Sequence, residues 1–283
     1  MRHFILHTSD RRRSYDLNGT SALAAEPSGL GNNFSLSYKE SERGKHLVNI
    51  TPSFDPITLK IYFNADGTDG YANYKALLSF LAECGTSPFF FEYNEGVTDK
   101  FCEVVLRTAP KSEISEEGLF VEDFQFERQT YWYEQVNTEF ELLNRTPDAT
   151  FPLKFPFGFA GEKLKKEFRI TNPFFERAPI IFIISGDFEN PLKLYIKDTS
   201  GNIISQIQLS IGNEEGQTIR IDPTTKKITV TTAEEGEYNG YGLTDKTKQS
   251  FLYLPQGEYI IGANIEQTDA GRIDVEVRRF LFD

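Results

Sequence analysis

The stretch Ile57-Thr-Leu-Lys-Ile-Tyr-Phe63 is soon followed by Tyr71-Ala-Asn-Tyr-Lys-Ala-Leu-Leu-Ser-Phe-Leu81. In the first run every second residue is apolar, which is the period of a half-buried strand. In the second run apolar residues recur every three to four positions, which is the period of a helix with one buried face. Asp69 and Gly85 suit the start and the end of this helix. The sequence therefore predicts a strand followed by one helix near residues 70–84.

Alternating apolar residues on both sides of this segment predict further strands. A long hairpin with a charged tip is expected between Asn32 and Ile50, because Phe34, Leu36 and Tyr38 alternate before the tip and His46, Val48 and Ile50 alternate after it. More strands are expected at Phe89–Tyr93, Phe101–Arg107 and Leu119–Phe126. The first half is therefore predicted to be mainly β with one packed helix.

The second half is predicted to be β throughout. Turn residues separate short apolar runs in three predicted hairpins, whose strands are Leu192–Ile196 with Ile203–Leu209, Ile219–Ile221 with Ile228–Thr232, and Tyr259–Ile265 with Ile273–Phe280. This spacing is typical of a β-sandwich or a jelly roll. Asn, Thr, Pro and Asp gather near residues 137–150, so we expect two domains, 1–140 and 141–283, in a chain that is all-β apart from the one helix.

Composition excludes several classes of protein. The 283 residues include 39% hydrophobic ones, enough for a real core, and 42 acidic against 30 basic side chains give a net charge of −12. Proteins that bind duplex DNA usually have a basic surface, so sequence-specific nucleic-acid binding is not expected. The longest apolar runs, Pro179–Ser185 and Pro88–Phe91, are far shorter than the roughly 20 residues that cross a bilayer, so no membrane insertion is expected.

The sequence contains no recognisable catalytic or metal-binding motif. His3 and His7 have no Cys or carboxylate at metal-ligand spacing, and the loop Asn64–Gly70 has Lys75 where a calcium loop needs Glu. Cys84 and Cys102 cannot form a disulfide framework and are expected to be buried and reduced, as in a chain that folds in a reducing cytoplasm. We therefore predict no enzyme activity, no catalytic residue, no cofactor and no metal.

Four short motifs follow one another in the first half: Pro27-Ser-Gly-Leu-Gly31, a helix containing Tyr71 and Tyr74, Lys111-Ser-Glu113, and Thr130-Tyr-Trp-Tyr133. In this order they resemble the distal tail proteins (Dit) of long-tailed siphophages, which also occur in phage-tail-like bacteriocins. The resemblance covers residues 15–133 most specifically.

This resemblance implies a β-barrel-like N-terminal domain that assembles as a hexameric ring and a C-terminal galectin-like β-sandwich. It also implies a structural role at the tail tip of a virion assembled in the bacterial host cytoplasm. The ring would join the tail tube protein to the tail-tip (tail-associated) protein and would anchor receptor-binding proteins.

Two groups of residues are candidates for contacts in such an assembly. A long hairpin is exposed unless a neighbour covers it, so one reading places Phe34, Leu36, Tyr38, Leu47 and Val48 in the contact between subunits. In the other reading these side chains line their own barrel. Tyr131, Trp132 and Tyr133 close the first domain and are expected to pack between the two domains, although aromatic triplets also serve as binding platforms.

Two other functions fit parts of the sequence. Tyr238, Tyr241 and Tyr253 would suit a carbohydrate-binding β-sandwich involved in cell-surface recognition. Galectin-type sugar binding needs a Trp, and the second half has none, so we expect the fold without that activity. A glycosidase would need two facing carboxylates in a cleft. The adjacent pairs Glu214–Glu215 and Glu234–Glu235 precede glycines and indicate exposed loops instead.

Overall fold

The structure is a computed structural model that describes residues 2–64, 69–116, 118–143, 164–188, 191–210, 216–234, 236–265 and 268–281. The chain divides into two units, one made of Met1–Glu134 with Leu281–Asp283 and the other of Gln135–Phe280. Each unit has its own hydrophobic core. Strand β10 (Tyr133–Leu143) spans the division. Residues 144–150 of the predicted boundary region lie outside the described residues, and a domain boundary after residue 140 stays a prediction.

The first unit is built from antiparallel strands and one helix, in the order β1 (His3–His7), β2 (Ser14–Asp16), β3 (Leu23–Ser28), β4 (Asn33–Ser41), β5 (Gly44–Ser53), β6 (Ile57–Tyr62), α1 (Gly70–Cys84), β7 (Phe89–Asn94), β8 (Asp99–Thr108) and β9 (Val121–Arg128). Its main sheet has the order β2-β1-β7-β8-β9-β6-β3. Pairing among the described strands leaves this sheet open, so they form no closed barrel. Strands β4 and β5 form a separate two-stranded sheet.

Helix α1 is the one helix that the sequence predicts. The Asp69 carboxylate accepts hydrogen bonds from the main-chain N–H groups of Tyr71 and Ala72, at 3.1 and 3.2 Å, and so caps the helix start. Gly85 follows its last residue with φ +65°, a conformation that favours glycine. On the predicted apolar face Tyr74, Leu77 and Leu81 are buried and Leu78 is partly buried, whereas Tyr71 is 39% exposed. The buried face packs into an aromatic core that includes Phe63, Phe91, Phe120, Phe124 and Phe126.

The second unit contains two antiparallel sheets. Their strands are β11 (Leu164–Asn172), β12 (Ala178–Phe188), β13 (Leu192–Lys197), β14 (Ile203–Leu209), β15 (Thr218–Asp222), β16 (Lys227–Thr232), β17 (Gly236–Asn239), β18 (Leu252–Leu254), β19 (Gly257–Ile265) and β20 (Thr268–Phe280). One sheet has the order β17-β16-β15-β12-β20-β10, with β18 also paired to β12, and the other has the order β11-β19-β13-β14. A shared aliphatic core holds residues from both sheets, so the predicted β-sandwich is confirmed.

Two of the three hairpins predicted for this half are confirmed, β13 with β14 and β15 with β16. The third is wrong. Strand β19 pairs with β11 and β13, whereas β20 pairs with β12 in the other sheet. Asp269–Gly271, read as a turn, lie inside β20. Adjacent strands in a sandwich can cross from one sheet to the other, and this crossing carries the same short-range pattern as a hairpin.

Candidate functional site: an exposed hairpin and its root

The predicted long hairpin is confirmed as strands β4 and β5. Their register runs from Asn33 opposite Ser53 to Ser41 opposite Gly44. Every residue of β4 except Phe34 is exposed. An isolated two-stranded sheet buries too little surface to be stable alone in water. The hairpin therefore depends on its attachment to the first unit and presents most of its side chains outward.

One face of the hairpin is apolar. Leu36 lies opposite Ile50 and Tyr38 lies opposite Leu47, so the four side chains form two cross-strand pairs on the same face. About half of each side chain remains exposed: 48% for Leu36, 52% for Tyr38, 50% for Leu47 and 51% for Ile50. A cluster of half-exposed large apolar side chains is typical of a surface that contacts another protein. We call these four residues the apolar face.

A β-bulge decides which side chains of β5 belong to this face. The register shifts between Ser37 and Tyr38, which leaves Val48 without a directly opposite residue. The bulge turns Leu47 to the side of Ile50, whereas simple alternation would place Val48 there. Val48 is 65% exposed at the bulge. The sequence analysis did not include Ile50 among the candidate interface residues. The regular alternation of His46, Val48 and Ile50 gave no indication of the bulge.

The base of the hairpin, which we call the root, is organised by Arg128. This side chain is only 2% exposed. Its guanidinium donates hydrogen bonds to the main-chain oxygens of Leu30 and Gly31, at 3.1 and 2.9 Å, and to the Asn32 side-chain oxygen at 3.0 Å. The guanidinium carbon also lies 4.7 Å from the centre of the Phe54 ring. Arg128 therefore holds residues that precede β4 and a residue that follows β5.

Trp132 holds the same loop. Its indole Nε1 donates to the main-chain oxygen of Leu30 at 2.6 Å, and its ring packs against Phe91 and Tyr93 in the core of the first unit. The main-chain oxygen of Trp132 accepts a hydrogen bond of 2.8 Å from the N–H of Leu281. Trp132 is 1% exposed, so these contacts are buried.

The neighbouring tyrosines contact different parts of the first unit. Tyr131 packs edge-on against Phe54 with ring centres 5.2 Å apart and lies 6.3 Å from the ring of Phe34. The Tyr133 hydroxyl accepts a hydrogen bond of 2.9 Å from Arg11. Of the predicted interface residues, Phe34 thus reaches the root, and Leu36, Tyr38, Leu47 and Val48 lie farther along the hairpin. Packing of Tyr131, Trp132 and Tyr133 between domains stays a prediction.

The glycine-containing loop closes the root. Gly29 has φ +74°, and a Cβ added there would lie 2.0 Å from the main-chain oxygen of Pro56. Only glycine permits both this conformation and this close approach. The loop before β4 therefore lies directly against the segment after β5, and Asn33 donates a hydrogen bond of 2.6 Å to Asp55 across the same base.

The titratable side chains singled out in the sequence are engaged in structural contacts. His7 lies 2.6 Å from Glu92 and His3 lies 2.7 Å from Asp16. Cys84 and Cys102 are free and buried, and burial raises the pKa of the Cys102 thiol. Within the described ranges, no group of three or more His, Cys, Asp or Glu side chains could hold a metal ion. No helix in the described part of the chain has the length and hydropathy to cross a membrane.

Solved structures with a similar fold include chains of a phage baseplate and of a phage adsorption apparatus. Two chains from structures of the phage p2 baseplate in its activated conformation, one with Ca and one with Sr, match with TM-scores of 0.68 and 0.67. Both are 15% identical, over 100% of this chain and 99% of theirs. The SPP1 Dit (gp 19.1) protein, a paradigm of the hub adsorption apparatus in phages that infect Gram-positive bacteria, matches with a TM-score of 0.56 and 12% identity. That match covers 98% of this chain and 99% of SPP1 Dit.

Identities this low show a shared fold alone. No curated protein matches the chain. The family model of the distal tail protein N-terminal domain matches residues 3–129, which include the hairpin, Gly29 and Arg128. Residues 3–129 are thus a distal tail protein (Dit) N-terminal domain.

Proposed function

We propose that the chain is a structural hub at the tail tip of a long-tailed phage or a phage-tail-like particle, where it holds other proteins in place and catalyses no reaction. The observation that carries this proposal is the apolar face of the hairpin, which projects from a distal tail domain and is half exposed in the isolated chain. Large exposed apolar side chains favour association because burial removes their surface from water.

The apolar face can form the contact between subunits of a closed ring. A hairpin that is anchored at its root can lie on a different surface of the next subunit, and such head-to-tail contacts generate a ring when the rotation closes. We propose a hexamer in which Leu36, Tyr38, Leu47 and Ile50 contact the neighbouring subunit, with Val48 beside them at the bulge. Phe34 would fix the start of β4 relative to the root, since its ring lies 6.3 Å from that of Tyr131.

The proposed partners rest on the resemblance to distal tail proteins. The ring would join the tail tube protein to the tail-tip protein, and the second unit would anchor receptor-binding proteins. The protein would be assembled in the bacterial host cytoplasm and carried in the virion at the tail tip. The two phage p2 baseplate chains support this placement, because their fold covers the whole of this chain.

Negative-stain microscopy and mass photometry of the purified full chain test the proposal. We expect six-fold rings with the mass of six 32.3 kDa chains. Mixing with a tail tube protein from the same particle should then cap the tube at one end. A chain that stays monomeric at every concentration and in the presence of tube protein would contradict the ring.

A further inference from the structure

The outer side of strands β3, β6 and β9 carries a second apolar surface in the first unit. Ala24 of β3 and Ile61 of β6 are buried in the core, so the residues next to them in sequence point to the other side of the sheet. There Leu23 lies opposite Tyr62, and Tyr62 lies opposite Val121. Leu23 is 42% exposed, and Tyr62 and Val121 are partly exposed. We call these three residues the outer row.

The outer row lies at the end of its strands that is farthest from the hairpin. Strand β3 runs from Leu23 to Ser28 and then enters the root at Gly29, and β6 runs from Ile57, at the root, to Tyr62. Five residue steps of extended chain separate Leu23 from Ser28, a distance of about 17 Å. The hairpin and the outer row are therefore at opposite ends of the same two strands.

A charged pair follows each of the two apolar surfaces at the same spacing. On the hairpin, Glu40 lies opposite Lys45, two residues beyond the apolar face in both strands. Their side chains form an exposed ion pair with an N–O distance of 3.4 Å. On the sheet, Lys60 lies opposite Asp123, two residues from the outer row in both strands. Residues two apart in a strand share a side of the sheet and lie about 7 Å apart, so each charged pair borders its apolar surface.

The two surfaces are complementary when the hairpin of one subunit lies on the outer row of the next with its tip toward that subunit's root. The apolar side chains then cover one another, which removes their exposed surface from water. The charged pairs come to the same level, and each offers one carboxylate and one ammonium group to the other. Opposite charges at the border of an apolar contact fix its register.

We propose that the outer row is the surface on which the apolar face of a second copy of this chain packs, an inference that rests on the proposed ring. The apolar face is half exposed in the single chain, so its own outer row does not cover it. Because the two surfaces differ and lie at opposite ends of β3 and β6, the contact is head-to-tail. Each subunit uses its hairpin toward one neighbour and its outer row toward the other, as a closed ring requires.

Two variants of the full chain, each with one surface disrupted, test this contact. Leu36→Asp places a charge on the hairpin and Leu23→Asp places one in the outer row, so each alone should remain a single chain at micromolar concentrations at which the natural chain forms rings. In an equal mixture, the intact hairpin of the Leu23→Asp chain can pack on the intact outer row of the Leu36→Asp chain. The two disrupted surfaces stop further growth. Sedimentation velocity should therefore find pairs of 32.3 kDa chains in the mixture only.

Further variants separate this contact from general damage to the fold. Tyr62→Ser removes the ring at the centre of the outer row and should prevent ring assembly as Leu23→Asp does. Val97→Asp makes a similar substitution at a 92% exposed site of the same unit and should leave the rings unchanged. Circular dichroism of each variant checks that the chain is folded, and pairing in the mixture is itself evidence that both chains are folded.

The outcomes distinguish this contact from the hub proposal. Rings of unchanged mass in both Leu23→Asp and Tyr62→Ser would overturn the contact and leave the hub proposal standing. If these rings no longer bound the tail tube protein, the outer row would belong to that partner instead. Single chains in the mixture would also overturn the contact, because they would show that the hairpin does not pack on the outer row. A natural chain that forms no ring would contradict the hub proposal and this contact together.

Discussion

The indole of Trp132 donates a hydrogen bond of 2.6 Å to the main-chain oxygen of Leu30, a residue 102 positions earlier in the chain. The contact joins the loop that precedes the hairpin to the segment that closes the first unit. Arg128 donates to the same oxygen from the preceding strand. Two separate motifs of the sequence thus meet at one carbonyl group, and the root of the hairpin is fixed there.

Replacement of Trp132 should therefore destabilise the first unit. For Trp132→Ala we expect a loss of about 3–5 kcal/mol, because a large buried side chain leaves a cavity. Trp132→Phe should cost less, about 1–3 kcal/mol, because it removes one hydrogen bond and part of the ring while the Leu30 oxygen keeps the hydrogen bond from Arg128. Urea unfolding followed by circular dichroism measures both. Val97→Ala is the control at a 92% exposed site. Unchanged stability in Trp132→Ala would contradict the buried packing.

Arg128→Met tests whether the guanidinium holds the hairpin. The variant keeps an unbranched side chain but removes the guanidinium's hydrogen bonds to Leu30, Gly31 and Asn32, and only the Leu30 oxygen keeps a second donor, Trp132. We expect a loss of about 3 kcal/mol or more. Hydrogen exchange of the amides of residues 33–53 should also accelerate. The control is Arg107→Met, which removes an exposed ion pair to Glu127 and should cost less than about 1 kcal/mol. Equal exchange in both variants would rule out this role for Arg128.

Gly29→Ala tests the close approach at the root. The new methyl group would collide with the Pro56 oxygen, and φ +74° is strained for alanine, so we expect a loss of at least about 2 kcal/mol or an insoluble protein. Gly31→Ala is a matched control, because a Cβ at Gly31 meets no atom within 4 Å. The two melting temperatures, measured side by side, should differ by several degrees. Similar values would show that the loop can move away from Pro56.

Charge on the apolar face should prevent ring assembly without unfolding the chain. Leu36→Asp and Ile50→Asp each place a carboxylate where we propose that a neighbouring subunit packs, whereas exposed substitutions usually change stability by less than about 0.5 kcal/mol. Ser35→Asp is the control, since Ser35 is the adjacent residue on the opposite face of β4. Mass photometry should find single chains for the first two variants and rings for Ser35→Asp. Rings of unchanged mass in Leu36→Asp would contradict the proposed interface.

The second unit should lose stability in acid through Asp222. Burial by itself raises the pKa of this carboxyl, but hydrogen bonds from Thr224 and Arg220, at 2.6 and 2.9 Å, outweigh burial and hold the pKa below its ordinary value. A lowered folded-state pKa stabilises the fold above the unfolded-state value of about 3.9, and that contribution disappears as the pH falls through the folded-state pKa.

Urea unfolding at several pH values between about 7 and about 3 measures this contribution. Asp222→Asn should be less stable than the natural chain at neutral pH, and the difference should shrink below about pH 4. Asp123→Asn, at an exposed position, serves as the control. A difference between Asp222→Asn and the natural chain that stays constant with pH would contradict this assignment.

Local patterns predicted the elements of the fold well. The switch from a two-residue to a three-to-four-residue apolar period located α1, and Asp198–Asn202 marked the turn between β13 and β14. The failed prediction joined β19 to β20, because a chain that crosses between sheets has the same local signal as a hairpin. Short-range periodicity identifies a strand but not the sheet that it joins.

The candidate site was only partly predictable for a related reason. Alternation of apolar residues predicted the hairpin itself. The bulge at Val48 has no sequence signature, and because of it Leu47, not Val48, shares a face with Leu36. The contacts of Arg128 with Leu30 and Gly31 join residues about 100 positions apart. No local pattern reports contacts of this range. A buried arginine in a strand is the signal that could have prompted the search for them, since buried charges need partners.

Both ends of the hairpin are held at its root, by Gly29, Pro56 and Arg128. The two strands of the hairpin can therefore become longer or shorter without a change in the rest of the first unit. Each residue added to a strand lengthens the hairpin by about 3.4 Å and moves the following side chains to the opposite face. Only insertions of two residues per strand, about 7 Å at a time, keep the same side toward a neighbour. Hairpins of different length in related chains should therefore differ by an even number of residues in each strand.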